Sequence, residues 1–203
     1  MKTEEIYVCI LRVEGTNCDA ETKRAFEDLG AKAEVVHIDD VVIKQNLLDY
    51  HVLVFPGGFS YGDYVRAGAI LAKATIAKLG EELKQFVKEE RPILGICNGF
   101  QILVEAGLLP KFTGPTDFPE AALATNMPIG YRCMWVHLKN ESKGKCVFTS
   151  KVRAESVVRI PIAHGEGRFL FEKNKQDDLL SKLYENDQLV FRYCNEHGEA
   201  AEG

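Results

Sequence analysis

The first half of the chain alternates short apolar runs with longer stretches that carry apolar residues at helical spacing. The apolar runs predict strands at 5–13, 33–38, 49–55 and 92–96. The amphipathic stretches predict helices at 20–29, at 67–88 with an interruption near Gly80, and at 101–106. Strands and helices that alternate over short connections form parallel sheets through right-handed crossovers. We therefore expect an α/β fold with three layers, in which a mostly parallel sheet has helices on both faces.

The pattern changes after Leu109. Prolines at 110, 115, 119 and 128 predict an irregular loop over 111–128. β-branched and aromatic residues then predict strands at 131–139, 156–162 and 188–193, and a helix is predicted at 176–184. Because the sequence shows no internal repeat and no clear linker, one domain over residues 1–203 is the simplest interpretation.

Cys97 lies where the predicted strand at 92–96 passes into the helix that follows. Gly95 and Gly99 stand two positions away on either side, as in the G-x-nucleophile-x-G elbow. Glycine lets such a sharp turn close against its neighbours. The N-terminus of the next helix favours the thiolate, which is the reactive form of cysteine. The pattern indicates a cysteine nucleophile, and the alternative is a buried cysteine in a tight turn.

Paired glycines, Gly57 and Gly58, follow the buried strand at 49–55. Such glycines let backbone N–H groups approach a ligand closely. Together with the N–H of Asn98, they are expected to stabilise a developing oxyanion. The alternative interpretation is a glycine-rich turn that binds no ligand.

His164 and Glu166 stand two positions apart in the segment 161–169. A cysteine nucleophile needs a base and a carboxylate that orients it, and this spacing offers both. The alternative is a glycine-rich loop whose polar groups line a pocket without transferring protons. A rival pair of the same spacing, His197 and Glu199, has the surroundings of an exposed hairpin turn. The other histidines lie in strand-like runs and are predicted to be structural: His37, His51 and His137.

Composition excludes several classes of protein. The chain of 203 residues is 46% hydrophobic, with a net charge of −5 and no Lys/Arg run, so nucleic acid is not an expected partner. The six cysteines are scattered without a C-x-x-C pair, which argues against a metal site or a disulfide framework and for a cytoplasmic protein. The charged N-terminus is not typical of a signal peptide, and no apolar run approaches the ~20 residues of a membrane span.

Three motifs together carry a resemblance to a known family. G-I-C-N-G-F-Q at 95–101, F-P-G-G-F-S-Y-G-D-Y at 55–64 and P-I-A-H-G-E-G-R-F at 161–169 resemble the class I, triad-type glutamine amidotransferases. More narrowly, they and V-E-G-T-N-C-D at 13–19 are similar to the glutaminase subunits of phosphoribosylformylglycinamidine synthase. The N-G-F-Q continuation after the cysteine is the specific part of the match.

The resemblance implies a flavodoxin-like fold and a glutaminase subunit of purine biosynthesis. Such a subunit hydrolyses glutamine to glutamate and ammonia. The ammonia passes to a large synthetase subunit, which uses ATP and Mg²⁺ to convert formylglycinamide ribonucleotide to formylglycinamidine ribonucleotide. A small accessory subunit belongs to the same enzyme, and the glutaminase subunit itself needs no cofactor.

The resemblance also implies roles for individual residues. Cys97 would attack the glutamine amide and form a glutamyl thioester, and Gln101 would contact the glutamine. The backbone around Gly57, Gly58 and Asn98 would hold the oxyanion. Three further residues would border the same pocket: Ala163, Gly165 and Glu166.

One departure from the family pattern affects the catalytic base. The family places its catalytic histidine and glutamate in a P-H-P-E segment near the C-terminus, and this sequence contains no P-H-P-E. The family pattern therefore assigns His164 and Glu166 to the pocket rather than to the triad. Either a C-terminal segment is missing from residues 1–203, or His164 has taken the role of the base. One alternative function follows from this departure, an inactive docking module of the same complex. A different hydrolase with a cysteine elbow is a separate alternative.

Overall fold

The computed structural model describes residues 2–44, 46–112 and 118–201, and the chain divides into two compact units. The first unit lies within residues 1–109 and 115–119, and the second within 110–114 and 120–203. The interpretation of 1–203 as one domain stays a prediction. Among the described residues, no helix combines the length and the apolar composition that a membrane crossing requires.

The first unit is built on a parallel sheet of four strands. These are β1 (Tyr7–Arg12), β2 (Lys32–His37), β3 (Val52–Phe55) and β4 (Ile93–Gly95), in the order β2-β1-β3-β4. All residues of β3 are buried, as are the central four of β1. Strands buried on both faces read as continuous apolar runs, which is why the sequence locates them.

Four helices cover the two faces of this sheet: α1 (Asp19–Asp28), α2 (Ile38–Lys44), α3 (Ala69–Lys88) and α4 (Asn98–Glu105). On one face, Phe55 packs in a core with Leu71 of α3 and Ile102 of α4. On the other face, Val54 packs in a second core against Phe26 of α1. The predicted α/β class, with a parallel sheet and helices on both faces, is confirmed.

The helices of the first unit differ from the prediction in three places. Helix α2 was not predicted, because its seven residues are too few to show a clear helical period. Helix α3 runs through Gly80 without interruption, since Leu79 and Leu83 continue its buried face. Helix α4 begins at Asn98, three residues before the predicted start, so Cys97 directly precedes its first turn.

The described residues of the second unit form two antiparallel sheets and one α-helix. Strand β5 (Ala122–Thr125) pairs with β8 (Glu166–Leu170), and β6 (Arg132–Asn140) lies between β7 (Val157–His164) and β9 (Phe191–Cys194). Helix α5 spans Gln176–Glu185. The strands predicted at 131–139, 156–162 and 188–193 and the helix at 176–184 are confirmed, with ends shifted by a few residues.

One prediction and one alternative interpretation for the second unit are corrected. The stretch 111–128 is not wholly irregular, because it contains β5, whose pairing with β8 gives this short segment a partner. Residues 113–117 of that stretch lie outside the described residues. The segment 161–169 is not a loop, since it forms the end of β7 and most of β8 with only Gly165 between them. The exposed turn predicted around His197 is confirmed by the Asn195 N–H, which donates to Glu199 O at 2.9 Å.

Candidate active site

The bend at Cys97 joins β4 to α4 and holds the cysteine in an unusual backbone conformation. Its φ is +52° and its ψ −109°, a combination that L-residues rarely adopt. The Ile96 N–H donates to Phe55 O at 3.1 Å, and the Gln101 N–H donates to Cys97 O at 3.1 Å. The Cys97 side chain is exposed. The structure therefore places Cys97 at the surface, at a bend that is fixed on both sides.

The two glycines of the elbow are required by packing. A Cβ on Gly95 would lie 2.6 Å from the carbonyl oxygen of Gly99. A Cβ on Gly99 would overlap the carbonyl oxygen of Phe55 at the end of β3. Real Cβ atoms do not come so close to backbone, so each position accepts only glycine without a shift of the chain. The elbow thus brings the first turn of α4 directly against the sheet.

Gly57 lies beside the candidate nucleophile. A Cβ at Gly57 would be 3.4 Å from Cys18 Sγ and 3.7 Å from Cys97 Cβ, so both cysteines face the same point. Gly58 has a φ of +145°, and a Cβ there would lie 2.6 Å from the Asn17 nitrogen. The structure therefore brings the paired glycines, the loop after β1 and Cys97 together.

The backbone of Gly58 is available for a ligand. Three hydrogen bonds flank it: the Asn17 and Cys18 N–H groups donate to Gly57 O at 3.3 and 3.1 Å, and the Phe59 N–H donates to Gly15 O at 2.8 Å. None of these bonds uses the Gly58 N–H, so the pairing of these two described segments leaves that donor to water or to a ligand. The role of Gly57 and Gly58 in oxyanion binding stays a prediction.

The Asn98 side chain, only 2% exposed, ties α4 to the loop after β3. Its Oδ1 accepts from the Ser60 N–H at 3.2 Å. Its Nδ2 donates to Asp63 Oδ1 and to Gln101 Oε1, both at 3.1 Å. Sequence analysis used only the backbone of Asn98 and missed Asp63, which lies in the second motif and offered no separate signal.

The pKa of the Cys97 thiol is raised above its ordinary value. The main cause is partial desolvation of the sulfur by its surroundings, and repulsion from the Cys18 thiolate and from the Asp63 carboxylate adds to it. A hydrogen bond from the Asn98 N–H acts in the opposite direction and lowers this pKa. At neutral pH the thiol is therefore mainly protonated and needs a base to react.

In the second unit, His164 is held by a buried asparagine. Its Nδ1 lies 3.1 Å from Asn126 Oδ1, which also accepts from the Gly167 N–H at 3.0 Å. Asn126 Nδ2 donates at 3.0 Å to the carbonyl oxygens of His164 and Gly130. Sequence analysis missed Asn126. Its only signal is its place before the Met127-Pro128 turn, where asparagine is a common residue.

The neighbours of His164 bear on its predicted role. Burial is the main cause that lowers its pKa, and the charge of Arg132 on the neighbouring strand adds to it. The partner of its Nδ1 is Asn126, so the structure assigns an amide rather than a carboxylate to that position. The remaining predicted pocket residues lie in the same segment of the second unit: Ala163 in β7, Gly165 after it, and Glu166 at the start of β8.

Comparison with known proteins identifies the family. Residues 5–203 match the model of the CobB/CobQ-like glutamine amidotransferase domain. The chain belongs to this glutamine amidotransferase family. The prediction of a glutamine amidotransferase is thereby confirmed, against the alternative of a different hydrolase with a cysteine elbow.

Similar glutamine amidotransferases share one name. The PurQ subunit of phosphoribosylformylglycinamidine synthase from Archaeoglobus fulgidus is 46% identical, over 99% of this chain and 77% of that protein. The PurQ subunit from Methanocaldococcus jannaschii is 40% identical, over 96% of this chain and 75% of that protein. Among solved structures, PurLQS from Thermotoga maritima matches with a TM-score of 0.72 and 34% identity, over 94% of this chain and 75% of that one.

A more distant glutamine amidotransferase supports the fold alone. A solved structure of such a protein from Thermotoga maritima matches with a TM-score of 0.52 and 20% identity, over 83% of this chain and 64% of that one. This likeness agrees with the α/β class that the sheet of the first unit shows.

Proposed function

We propose that this glutamine amidotransferase is the glutaminase subunit of a phosphoribosylformylglycinamidine synthase. The observation that carries the proposal is the 46% identity to the Archaeoglobus fulgidus PurQ subunit over 99% of the chain. The exposed Cys97 at the elbow supplies the nucleophile that glutamine hydrolysis requires. In phosphoribosylformylglycinamidine synthase, the enzyme to which these relatives belong, the glutaminase supports one step of purine biosynthesis.

The proposed chemistry begins at the Cys97 sulfur. The thiolate attacks the amide carbon of the glutamine side chain, and a tetrahedral oxyanion forms. The carbon–nitrogen bond then breaks, a proton passes to the leaving nitrogen, and ammonia departs from a glutamyl thioester. Water attacks the thioester, which releases glutamate and restores the thiol.

The N–H groups of Gly58 and Asn98 are the proposed donors to the oxyanion. The Asn98 N–H already hydrogen-bonds the sulfur, so it lies beside the reacting atom. Removing one such donor typically costs about 2.7–4 kcal/mol of transition-state stabilisation. Gly57 gives this region its close backbone approach, and Gln101 is the proposed contact for glutamine.

For the segment of the second unit around His164 we propose a role in binding glutamine, with Ala163, Gly165 and Glu166 taking part mainly through backbone groups. His164 carries the imidazole of this segment, which makes it a candidate for the base of the reaction. The substitution His164→Gln tests its role: loss of at least a hundredfold in kcat supports a base, and a rise in KM alone supports a pocket residue.

The proposed partners are a large synthetase subunit and a small accessory subunit, as the solved PurLQS structure suggests by its composition. Ammonia from this chain would be consumed by the large subunit, which would use ATP and Mg²⁺ to make formylglycinamidine ribonucleotide. We propose no cofactor for the present chain and a cytoplasmic location, where the substrates of such a pathway occur.

A second candidate function is a docking subunit without turnover. The raised pKa of Cys97 favours it, because a protonated thiol attacks an amide slowly.

The deciding experiment measures ammonia release from glutamine, by this chain alone and with the large and small subunits of its enzyme. Turnover that Cys97→Ala abolishes, and that the exposed-thiol control Cys133→Ser retains, supports the glutaminase. Binding to the large subunit without any release of ammonia supports the docking subunit and rejects the glutaminase.

A further inference from the structure

We propose that Asp63 is a positioning residue of this site, which holds the Asn98 side chain and thereby fixes both the Asn98 N–H and the Gln101 amide. The inference deepens the proposed function and rests on it. Asp63 does not face the reacting atoms in this scheme. It acts through Asn98. The Asn98 N–H lies near the Cys97 sulfur, and the Asn98 side-chain amide contacts the loop after β3.

The backbone around Asp63 is held in an uncommon conformation. Three successive residues, Tyr61, Gly62 and Asp63, have positive φ values of 51°, 69° and 52°. Such a run costs free energy and persists only where surrounding contacts hold it. Here the Tyr61 N–H donates to Glu14 O at 2.8 Å, and the Gly68 N–H donates to Asp63 Oδ1 at 3.2 Å. The turn directs the Asp63 carboxylate toward α4.

The carboxylate fixes the orientation of two amides in sequence. A carboxylate only accepts hydrogen bonds, so the group of Asn98 that faces Asp63 at 3.1 Å must be its NH₂. The Asn98 oxygen then faces the Ser60 N–H, as observed. The same NH₂ lies 3.1 Å from Gln101, so the atom of Gln101 that faces it must be the oxygen. The NH₂ of Gln101 is thereby directed away from Asn98.

This series of hydrogen bonds is connected to the proposed reaction centre through the Asn98 backbone. Asn98 is the first residue of α4, and its side chain is buried. Because both the oxygen and the NH₂ of the Asn98 side chain are hydrogen-bonded, the Asn98 backbone has little freedom to move. Its N–H lowers the pKa of the Cys97 thiol by hydrogen bonding, so it lies near the sulfur that would attack the substrate. Displacements of about 1 Å in such a donor can cost on the order of a hundredfold in rate.

The charge of Asp63 works against the thiolate even as its geometry supports the site. After desolvation and Cys18, Asp63 is a further cause that raises the pKa of Cys97. If charge were the only contribution of residue 63, an acidic residue would not be expected there, because its charge disfavours the thiolate. Geometry and charge therefore make separate, measurable contributions.

Two substitutions separate the contributions. Asp63→Asn keeps an oxygen that can accept from both Gly68 and Asn98 but removes the charge, and asparagine tolerates positive φ. Asp63→Gly removes the side chain, and glycine adopts a φ of +52° without strain. Asp40→Asn, at an exposed position of α2, is the matched control for the loss of an acid. Far-UV circular dichroism and urea unfolding check that each variant folds.

The measurements are ammonia release by the complex with its large and small subunits, and alkylation of Cys97 by iodoacetamide as a function of pH. We expect Asp63→Gly to lose at least tenfold in kcat/KM for glutamine, and Asp63→Asn to recover most of that loss. Alkylation needs no oxyanion, so the rate constant of the Cys97 thiolate should stay within about twofold in both variants. The midpoint of alkylation should move to lower pH in Asp63→Asn, and Asp40→Asn should match the wild type.

The outcomes keep this inference apart from the proposed function. Wild-type complex that releases no ammonia rejects the proposed function, whatever the variants do. Active wild type with Asp63→Gly at full kcat/KM overturns the positioning role of Asp63. Equal losses in Asp63→Gly and Asp63→Asn also overturn it, because the retained oxygen should have rescued the geometry.

Discussion

Gly99 in the first turn of α4 lies directly against Phe55 at the end of β3. A Cβ added to Gly99 would overlap the Phe55 carbonyl oxygen and lie 2.9 Å from the Phe55 Cβ. The carbonyl cannot move freely, because it accepts the Ile96 N–H at 3.1 Å in the connection to the elbow. The position of Cys97 therefore depends on the absence of a side chain two residues later.

We expect Gly99→Ala to lower the free energy of unfolding by about 1–3 kcal/mol or more, because the added methyl group forces the helix away from the sheet. Gly80→Ala is the matched control, since the same change in α3 meets nothing within 4 Å. It should raise the free energy of unfolding by about 0.5–1 kcal/mol, as alanine does in a helix interior. Urea unfolding followed by circular dichroism measures both. Equal effects of the two substitutions would show that Gly99 is not tightly packed.

The reactivity of the thiol gives a second prediction. Because desolvation raises the pKa of Cys97, its alkylation in the isolated chain should have a midpoint above the ordinary thiol value of 9.0. Mass spectrometry after timed iodoacetamide treatment, across a series of pH values, gives the rate at Cys97 separately from the other exposed thiols. A midpoint well below 9 would mean that a base or a cation reaches the sulfur in the free chain.

The strands of the first unit were predictable because each is an apolar run buried on both faces. The elbow was predictable as well, since Gly95, Cys97 and Gly99 carry its geometry at alternate positions of a five-residue motif. Helix α2 was not, because seven residues span too few turns to show a period. Strand β5 was not predictable, because prolines surround it in the sequence and because its strand structure depends on pairing with β8.

The polar network of the site was beyond sequence reasoning for a different reason. Asp63 and Asn98 are 35 residues apart, and Asn126 and His164 are 38 apart. A hydrogen bond between residues so distant in the chain depends on how strands and loops pack. The motifs showed that polar residues were present but not which pairs form.

Asn126 gives a third prediction, for the stability of the second unit. Its amide satisfies the carbonyl oxygens of Gly130 and His164 and the N–H of Gly167. Asn126→Ala leaves these groups without their partner, at a cost of about 1–3 kcal/mol for each one that water does not reach.

We therefore expect Asn126→Ala to destabilise the chain by several kcal/mol in urea unfolding, monitored by the fluorescence of Trp135 in the same unit. Asn174→Ala, at an exposed position, is the control and should stay within about 0.5 kcal/mol of the wild type. A comparable stability of both variants would refute the structural role of Asn126.

The fourth prediction concerns pH, through His164. Burial, with a contribution from Arg132, lowers the pKa of its imidazole in the folded chain below the ordinary 6.5. The unfolded chain therefore binds this proton first as the pH falls, so protonation favours unfolding. The contribution of His164 to stability is present above pH 6.5 and is lost as the pH falls from there through the lowered value. We expect an NMR titration of the His164 ring to show a midpoint below 6.5. The free energy of unfolding should also fall less between pH 7.5 and 5.5 in His164→Gln than in the wild type, and a midpoint at or above 6.5 would contradict the partial burial of this ring.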